Sequence, residues 1–330
     1  FIEVNDMKNI VVVMTGGTIA MRIDPNLRAA IPSLSSEELI GEVKAHIKDT
    51  QIREKELFNI PSGHITPERM TEIRQAVVEA LSDPENVGVI VTHGTDTLEE
   101  TAYYLDISID NEKPIVMTGA MRNASELGYD GELNLTASIA TILNEESRGL
   151  GTLVVMNNEV HSAAQVTKTN TLSVNTFKSP ELGPLGIIDN DEVLYYRREK
   201  SVKKVIVDTL EPKIALIKMA AGVEGDIIDF YIDNGYKGIV IEALGRGNVP
   251  PATLPSINRA LELNIPIVLV SRCATGRVLG SYGYLGGGKG LFESGVINGG
   301  YLPGHKARIA LMALVSANKS KDEMEQFFKI

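Results

Sequence analysis

The chain contains a single cysteine, Cys273, so an intrachain disulfide and a cysteine metal cluster are both excluded. That usage suits a reducing compartment, and a cytoplasmic protein is the expectation. Cys273 itself, in Ser271-Arg272-Cys273-Ala274, is expected to pack as a small buried residue. The five histidines, His46, His64, His93, His161 and His305, lack His-Glu-x-x-His or any other ligand spacing. No metal and no cofactor is expected. No stretch approaches the roughly 18 consecutive apolar residues of a membrane span. Phe1 to Asn9 has no basic segment followed by an apolar run and a cleavage site, so neither a membrane association nor a secretory signal is expected there. Positive charge is short as well: 32 Lys and Arg stand against 43 Asp and Glu, for a formal charge of −11. Nucleic-acid affinity rests on neutralising phosphates, so a nucleic-acid partner is disfavoured. The basic run Arg197 to Lys204 reads as a solvated linker. Dinucleotide and phosphate-loop glycine spacings are missing after the first strand, and no Gly-x-Ser-x-Gly elbow occurs.

What is present is an ordinary globular composition, 43% hydrophobic and 23% charged over 330 residues, long enough for two domains. Short β-branched runs predict strands at 9–14, 56–60, 87–91, 114–117 and 153–156. Helical spacing is found at 35–47, 66–81, 97–105 and 133–143. Thr66-Pro67-Glu68 has the form of a helix start, and Thr97 with Glu100 that of a capping box. Residues 183–196 predict a hairpin turning at Asp189-Asn190-Asp191. The alternation resumes with strands at 214–218, 238–242 and 265–270 and helices at 226–233, 251–263, 305–316 and 321–328. Such alternation argues for parallel sheets flanked by helices. The expected class is therefore α/β: a larger N-terminal domain over 8–197 with a mostly parallel sheet, a linker at 198–212, and a smaller C-terminal α/β domain over 213–330.

Three polar segments carry candidate chemistry. Thr15-Gly16-Gly17-Thr18 follows the first strand, where paired glycines let the backbone approach a ligand. Thr92-His93-Gly94-Thr95-Asp96-Thr97 follows the 87–91 strand at a helix start, a place that favours a negative ligand group. Asp96 and Thr97 also suit simple capping. Val166 to Thr171 reads as a turn, and its Lys168 is either a solvated charge or, beside a hydroxyl, a desolvated base.

Together these segments resemble the bacterial-type L-asparaginase family. The likeness runs through Thr15-Gly16-Gly17-Thr18-Ile19-Ala20, His93-Gly94-Thr95-Asp96-Thr97, Gly119-Ala120-Met121-Arg122, Thr167-Lys168-Thr169-Asn170, Phe177-Lys178-Ser179-Pro180 and Gly245-Arg246-Gly247-Asn248. It implies a threonine-nucleophile amidohydrolase acting on asparagine. Thr18 matches the primary nucleophile, and Thr95, Asp96 and Lys168 match a second triad in which the lysine activates or orients the threonine. Asp96 also matches the group that binds the substrate ammonium, and Ser62 the hydroxyl that holds its carboxylate. The backbones of Thr95 and Ala120 match the lining near the scissile amide. Asn248 matches a contribution from a partner subunit, because the family assembles as dimers or tetramers. A homodimer or homotetramer acting on a small amino-acid amide is thus implied.

The chain departs from the family pattern at three places. The segment 21–36 has no tyrosine where better-known members have one, near Ala29–Ile31. Gly63 stands where a glutamine often helps hold the amino group. A partner-subunit glutamate near Tyr282-Gly283-Tyr284 is missing, and Tyr282 or Tyr284 is the candidate replacement for the absent phenol. The pocket is therefore expected to admit glutamine, a D-amino acid or an N-substituted asparagine. Three other readings compete. One is the amidase subunit of a tRNA-dependent amidotransferase, which generally has a domain ahead of the Gly-Gly-Thr turn. The others are a nucleotide-binding α/β protein and a non-catalytic amino-acid sensor.

Overall fold

The computed structural model describes residues 7–44, 50–199 and 202–329; the latter part of the 35–47 helix expectation and His46 lie outside them. The chain divides into two compact units, one ending at Lys204 and the other beginning at Val205. The first unit opens with β1 (Lys8–Gly16) and a small hairpin of β2 (Met21–Asp24) and β3 (Ala29–Pro32). Then come α1 (Ser36–Lys44), β4 (Thr50–Ile60), α2 (Pro67–Ser82), β5 (Asn86–Thr92) and α3 (Leu98–Ser108). These are followed by β6 (Ile115–Thr118), α4 (Gly131–Leu143), β7 (Thr152–Met156) and β8 (Glu159–Ser162). A short pair, β9 (Thr167–Lys168) and β10 (Phe177–Lys178), precedes the hairpin β11 (Gly186–Asp189) and β12 (Glu192–Tyr195).

An eight-stranded sheet runs in the order β12-β11-β8-β7-β6-β5-β1-β4. Strands β4, β1, β5, β6 and β7 are mutually parallel, and β8, β11 and β12 add antiparallel pairs at one edge. Alternation along β1 sorts its side chains onto two faces. Ile10, Val12 and Met14 pack with Leu39 and Ile40 of α1 and Leu135 and Ile139 of α4. Val11 and Val13 pack with Ile73 and Val77 of α2 and Leu98 and Leu105 of α3. The chain leaves β1 toward β4 on one side, then crosses to β5 on the other. In parallel α/β sheets, such a reversal opens a crevice at the carboxyl ends of the strands.

The second unit has a four-stranded parallel sheet of β13 (Ile214–Lys218), β14 (Gly238–Ala243), β15 (Ile267–Ser271) and β16 (Ile297–Asn298). Its helices are α5 (Asp226–Asp233), α6 (Leu254–Glu262), α7 (Gly288–Ser294), α8 (Gly304–Ser316) and α9 (Lys321–Phe328). Ile228 and Ile232 of α5 and Ile257 and Ala260 of α6 cover one sheet face. The molecule is thus an α/β protein with a large mixed sheet and a smaller parallel one.

Several local expectations are corrected. Thr97 precedes α3, but its side chain makes no cap bond; its hydroxyl donates instead to the Ser62 carbonyl at 2.9 Å. Thr66 does cap α2, accepting from the Arg69 amide, with Pro67 at the first helical position. Lys168 lies on a two-residue strand rather than in a turn, and the turn begins at Asn170, whose side chain accepts from the Leu172 and Ser173 amides. Cys273 is exposed rather than buried. The basic run is not simply solvated: Arg197 and Arg198 donate to backbone carbonyls of the first unit, and Lys204 lies 3.6 Å from the buried Asp106 carboxylate.

Candidate active site

Four parallel strands deliver their following loops to one end of the large sheet. β1 ends at Gly16 and is followed by Gly17, with φ of 96° and 86°, a region that residues other than glycine rarely occupy. A Cβ on Gly17 would stand 2.3 Å from Gly94 Cα, and one on Gly94 would stand 2.7 Å from Ser62 Oγ. The loops after β1 and β5 therefore approach backbone to backbone, and the Ser62 side chain after β4 seats against Gly94, because neither glycine carries a side chain. Half-buried Thr18 begins a single helical turn, Thr18–Ala20, directly after this contact.

The β5 loop is braced from behind. His93 is fully buried, with Nδ1 2.7 Å from the Gly94 carbonyl and Nε2 2.9 Å from the Thr101 hydroxyl. A carbonyl only accepts, so Nδ1 carries the proton and Nε2 accepts from Thr101. Burial lowers the His93 pKa to about 4. This histidine is a neutral brace at neutral pH, not a proton carrier.

Thr95 and Asp96, which follow Gly94, face Lys168 from β9. Lys168 Nζ donates to Thr95 Oγ1 at 2.9 Å and to Asp96 Oδ1 at 2.7 Å, across more than 70 residues of chain. Thr95 is buried, while the Asp96 side chain is 75% exposed and the Lys168 side chain 17% exposed. The carboxylate thus opens outward as the ammonium points inward. The buried Ser62 hydroxyl accepts from the Asp96 amide at 3.2 Å, which leaves its own proton free for a ligand oxygen. Ala120 is fully buried after β6, and a Cβ on its neighbour Gly119 would meet the His93 carbonyl at 2.5 Å. A hydroxyl, a primary amine and a carboxylate in hydrogen-bonded series can pass a proton, and the exposed carboxylate can hold a cation.

Three positioning groups escaped the sequence reading. The buried Glu99 carboxylate accepts from the Thr167 hydroxyl at 3.2 Å and from the Lys168 amide at 3.0 Å. It moors the strand that carries Lys168. Its signal was split with Glu100, which had the capping-box spacing. Asp130 accepts from the Met121 and Arg122 amides, and Asn134 donates to the Gly119 carbonyl at 3.0 Å, fixing the loop around Ala120. Among the described residues no group of three His, Cys, Asp or Glu side chains is arranged to hold a metal ion.

The remaining candidates belong to the second unit or face open space. Asn248 closes a tight turn after β14, exchanging backbone bonds of 2.9 Å with Leu244. Tyr282 and Tyr284 are exposed, with ring centroids 5.5 Å apart. Gly63 adjoins Ser62, and a Cβ there would meet nothing within 4 Å.

Buried histidines also set an acid limit on the fold. His161, with Nδ1 2.9 Å from Ser179 Oγ, is likewise lowered to about 4, by burial first, against the opposing pull of Glu159. Both start from 6.5 unfolded. The unfolded chain binds more protons between the two values, so stability is whole above pH 6.5 and falls as pH drops toward 4. Between pH 7.5 and 5 the expected loss is about 2 kcal/mol per histidine. Urea melts at the two pH values test this, and a midpoint that stays put would refute it.

The sequence also matches known proteins along nearly its whole length. Residues 9–201 match the family model "Asparaginase, N-terminal", and residues 213–328 match "Glutaminase/Asparaginase C-terminal domain". The chain is 35% identical to an L-asparaginase of Bacillus licheniformis over 314 residues, 94% of this chain and 97% of the relative. It is 35% identical to a probable L-asparaginase of Deinococcus radiodurans over 326 residues, 98% of this chain and 97% of the relative. It is also 33% identical to one subunit of the Glutamyl-tRNA(Gln) amidotransferase of Pyrococcus abyssi over 333 residues, 97% of this chain and 75% of that one.

Proposed function

The chain belongs to the asparaginase family, and from that premise we propose that it hydrolyses the side-chain amide of asparagine to aspartate and ammonia through an ester on Thr18. The observation that carries this reading is the double contact of Lys168 Nζ with Thr95 Oγ1 and Asp96 Oδ1, one loop contact away from Thr18. In the proposed reaction the Thr18 oxygen attacks the amide carbon, and its proton passes through the site to the leaving nitrogen. Backbone groups of Thr95 and Ala120 line the position of the oxyanion. Ammonia leaves, water attacks the ester, and the Thr18 hydroxyl is restored. Asp96 holds the substrate ammonium and Ser62 donates to its carboxylate. A threonine hydroxyl and an unactivated amide are each sluggish partners at neutral pH, so this much assistance is chemically required. For Asn248, Tyr282 and Tyr284 the proposal rests on the family resemblance alone, as does assembly into a homodimer or homotetramer. A cytoplasmic setting is proposed from the cysteine usage; no described helix is long and apolar enough to cross a membrane.

The second reading is the amidase part of a tRNA-dependent amidotransferase, favoured by the similarity to the Pyrococcus abyssi protein and opposed by the charge of −11. Ammonia release from L-Asn, D-Asn, L-Gln and N-acetyl-L-asparagine, measured with and without glutamyl-tRNA and its activating partner, separates the two. Release from free L-Asn alone supports the hydrolase; a strict requirement for the tRNA system would replace it.

Gly63 bears on the substrate. It lacks a left-handed φ, and its missing Cβ leaves open space, so neither backbone nor packing demands glycine beside Ser62. The family resemblance puts the substrate amino group on this side, where the opening admits a substituent. Gly63→Gln is expected to lower activity on N-acetyl-L-asparagine relative to L-asparagine by about tenfold. An unchanged ratio of the two kcat/KM values would place the substituent elsewhere.

A further inference from the structure

Behind the turn that carries Thr18 stands a tyrosine outside the set of site residues described so far. Tyr129 closes the loop between β6 and α4, and its phenol donates to the Ile19 carbonyl at 2.7 Å, across 110 residues. Ile19 is fully buried and is the middle residue of the Thr18–Ala20 turn. The same loop grips the chain a second time, where the Ala124 amide donates to the Met21 carbonyl at 3.0 Å. On its other side the turn is tied by the Ala20 amide to the Gly17 carbonyl, and by the Ser33 and Leu34 amides to the Ala20 carbonyl, each at 3.0 Å. Among these ties the phenol is the side-chain contribution.

The seat of the phenol is built for it. A Cβ on Gly131, the first residue of α4, would stand 2.2 Å from Tyr129 Oη and 2.3 Å from Cζ. Asp130, between the two, is held by the Met121 and Arg122 amides and by Asn134, so the loop has little freedom to shift. Burial, with Glu132 and Asp130 nearby, holds the phenol pKa well above its ordinary value. The hydroxyl therefore stays a neutral donor wherever the protein is folded.

We propose that Tyr129 is a positioning residue, whose phenol acts through the Ile19 carbonyl to hold the turn that aims the Thr18 hydroxyl at the scissile amide. The proposal rests on Thr18 being the attacking group. It assigns the turn a restraint from the α4 side, where the loop following Thr18 has no tyrosine of its own. A misplacement of about 1 Å at a reacting atom costs on the order of 100-fold in rate, so a single well-placed bond on a three-residue turn is sufficient leverage.

The test uses the full-length protein and the variants Tyr129→Phe, Gly131→Ala and the double variant. Tyr129→Phe is expected to lower kcat by about tenfold to 100-fold with KM within about twofold, since Asp96 and Ser62 are untouched. Gly131→Ala keeps the hydroxyl but displaces it, and should give the same split. The double variant should be no slower than the slower single, because both act through one bond. Wild-type kcat in Tyr129→Phe would overturn the proposal. So would a loss in both single variants that merely follows the unfolded fraction. Hydrogen exchange at the Ala20 amide supplies a reading independent of catalysis: faster exchange in Tyr129→Phe supports the restraint, and unchanged exchange refutes it. Should Thr18→Ala retain full turnover, the nucleophile assignment fails, while the exchange result still decides whether Tyr129 holds the turn.

Discussion

Replacement of Thr18 by alanine is expected to lower turnover by about 10⁴- to 10⁶-fold, the range seen when a nucleophile is removed from an intact site. The substitution leaves most of the site in place. The Gly16-Gly17 turn, the Gly17–Gly94 contact and the Thr95–Lys168–Asp96 series do not depend on the Thr18 side chain. Alanine is at least as compatible with a helical turn as threonine, so the fold should be retained. Binding should survive as well, because Asp96 and Ser62 remain, and the dissociation constant for asparagine is expected to stay within severalfold of wild type. What disappears is the oxygen that forms the ester. Thr18→Ser returns that oxygen without its methyl group and should recover a substantial part of the rate. Rapid quenching of the wild type with substrate should leave an aspartyl group on the peptide containing Thr18, absent from the alanine variant. Turnover within about tenfold of wild type in Thr18→Ala would move the attack to another group, with Thr95 the first to examine.

How much of this was legible in the sequence differs between fold and site. The parallel core was readable because buried strands such as β5 are continuous apolar runs bounded by polar turns. The helix over Pro67–Ser82 was readable because its first turn states its own start. Hairpin β2–β3 was not: the alternation in Met-Arg-Ile-Asp is only four residues long, and its Ile23 lies exposed rather than on a buried face. Strand β8 went unread although Asn157 and Asn158, both left-handed at φ 51° and 58°, form the sort of turn that links antiparallel strands. Strand β9 is two residues long and has no period at all.

The site divides similarly. The loops after β1 and β5 were visible as polar, glycine-bearing segments behind strands. The pairing of Lys168 with Thr95 was not deducible from spacing, since 73 residues separate them, and came from the family likeness. Glu99 and Tyr129 were missed for a shared reason. Each acts through a backbone group of a distant segment, and a backbone acceptor or donor has no signature in the sequence.

Lys168→Met is expected to lower kcat by about 10³-fold, within the usual range for losing a positioned proton-transfer group, with little change in thermal midpoint. Both effects come from the same geometry. Asp96 is 75% exposed, and an ion pair with one partner largely in solvent contributes about 0–1 kcal/mol to stability. Methionine replaces the buried stem of the lysine at similar length, so packing is kept. What is removed is the only nitrogen seen to join the Thr95 hydroxyl to the Asp96 carboxylate among the described residues. Arginine should not rescue the loss, because a planar guanidinium neither fits a single-atom junction nor gives up its proton. Glu99→Ala offers the complementary perturbation: it leaves the amine but releases the Lys168 amide from its 3.0 Å bond, and a smaller loss of kcat is expected. If Lys168→Met turned over at the wild-type rate, the Thr95–Lys168–Asp96 series would be a structural staple rather than a catalytic one, and the proton would have to travel by another route.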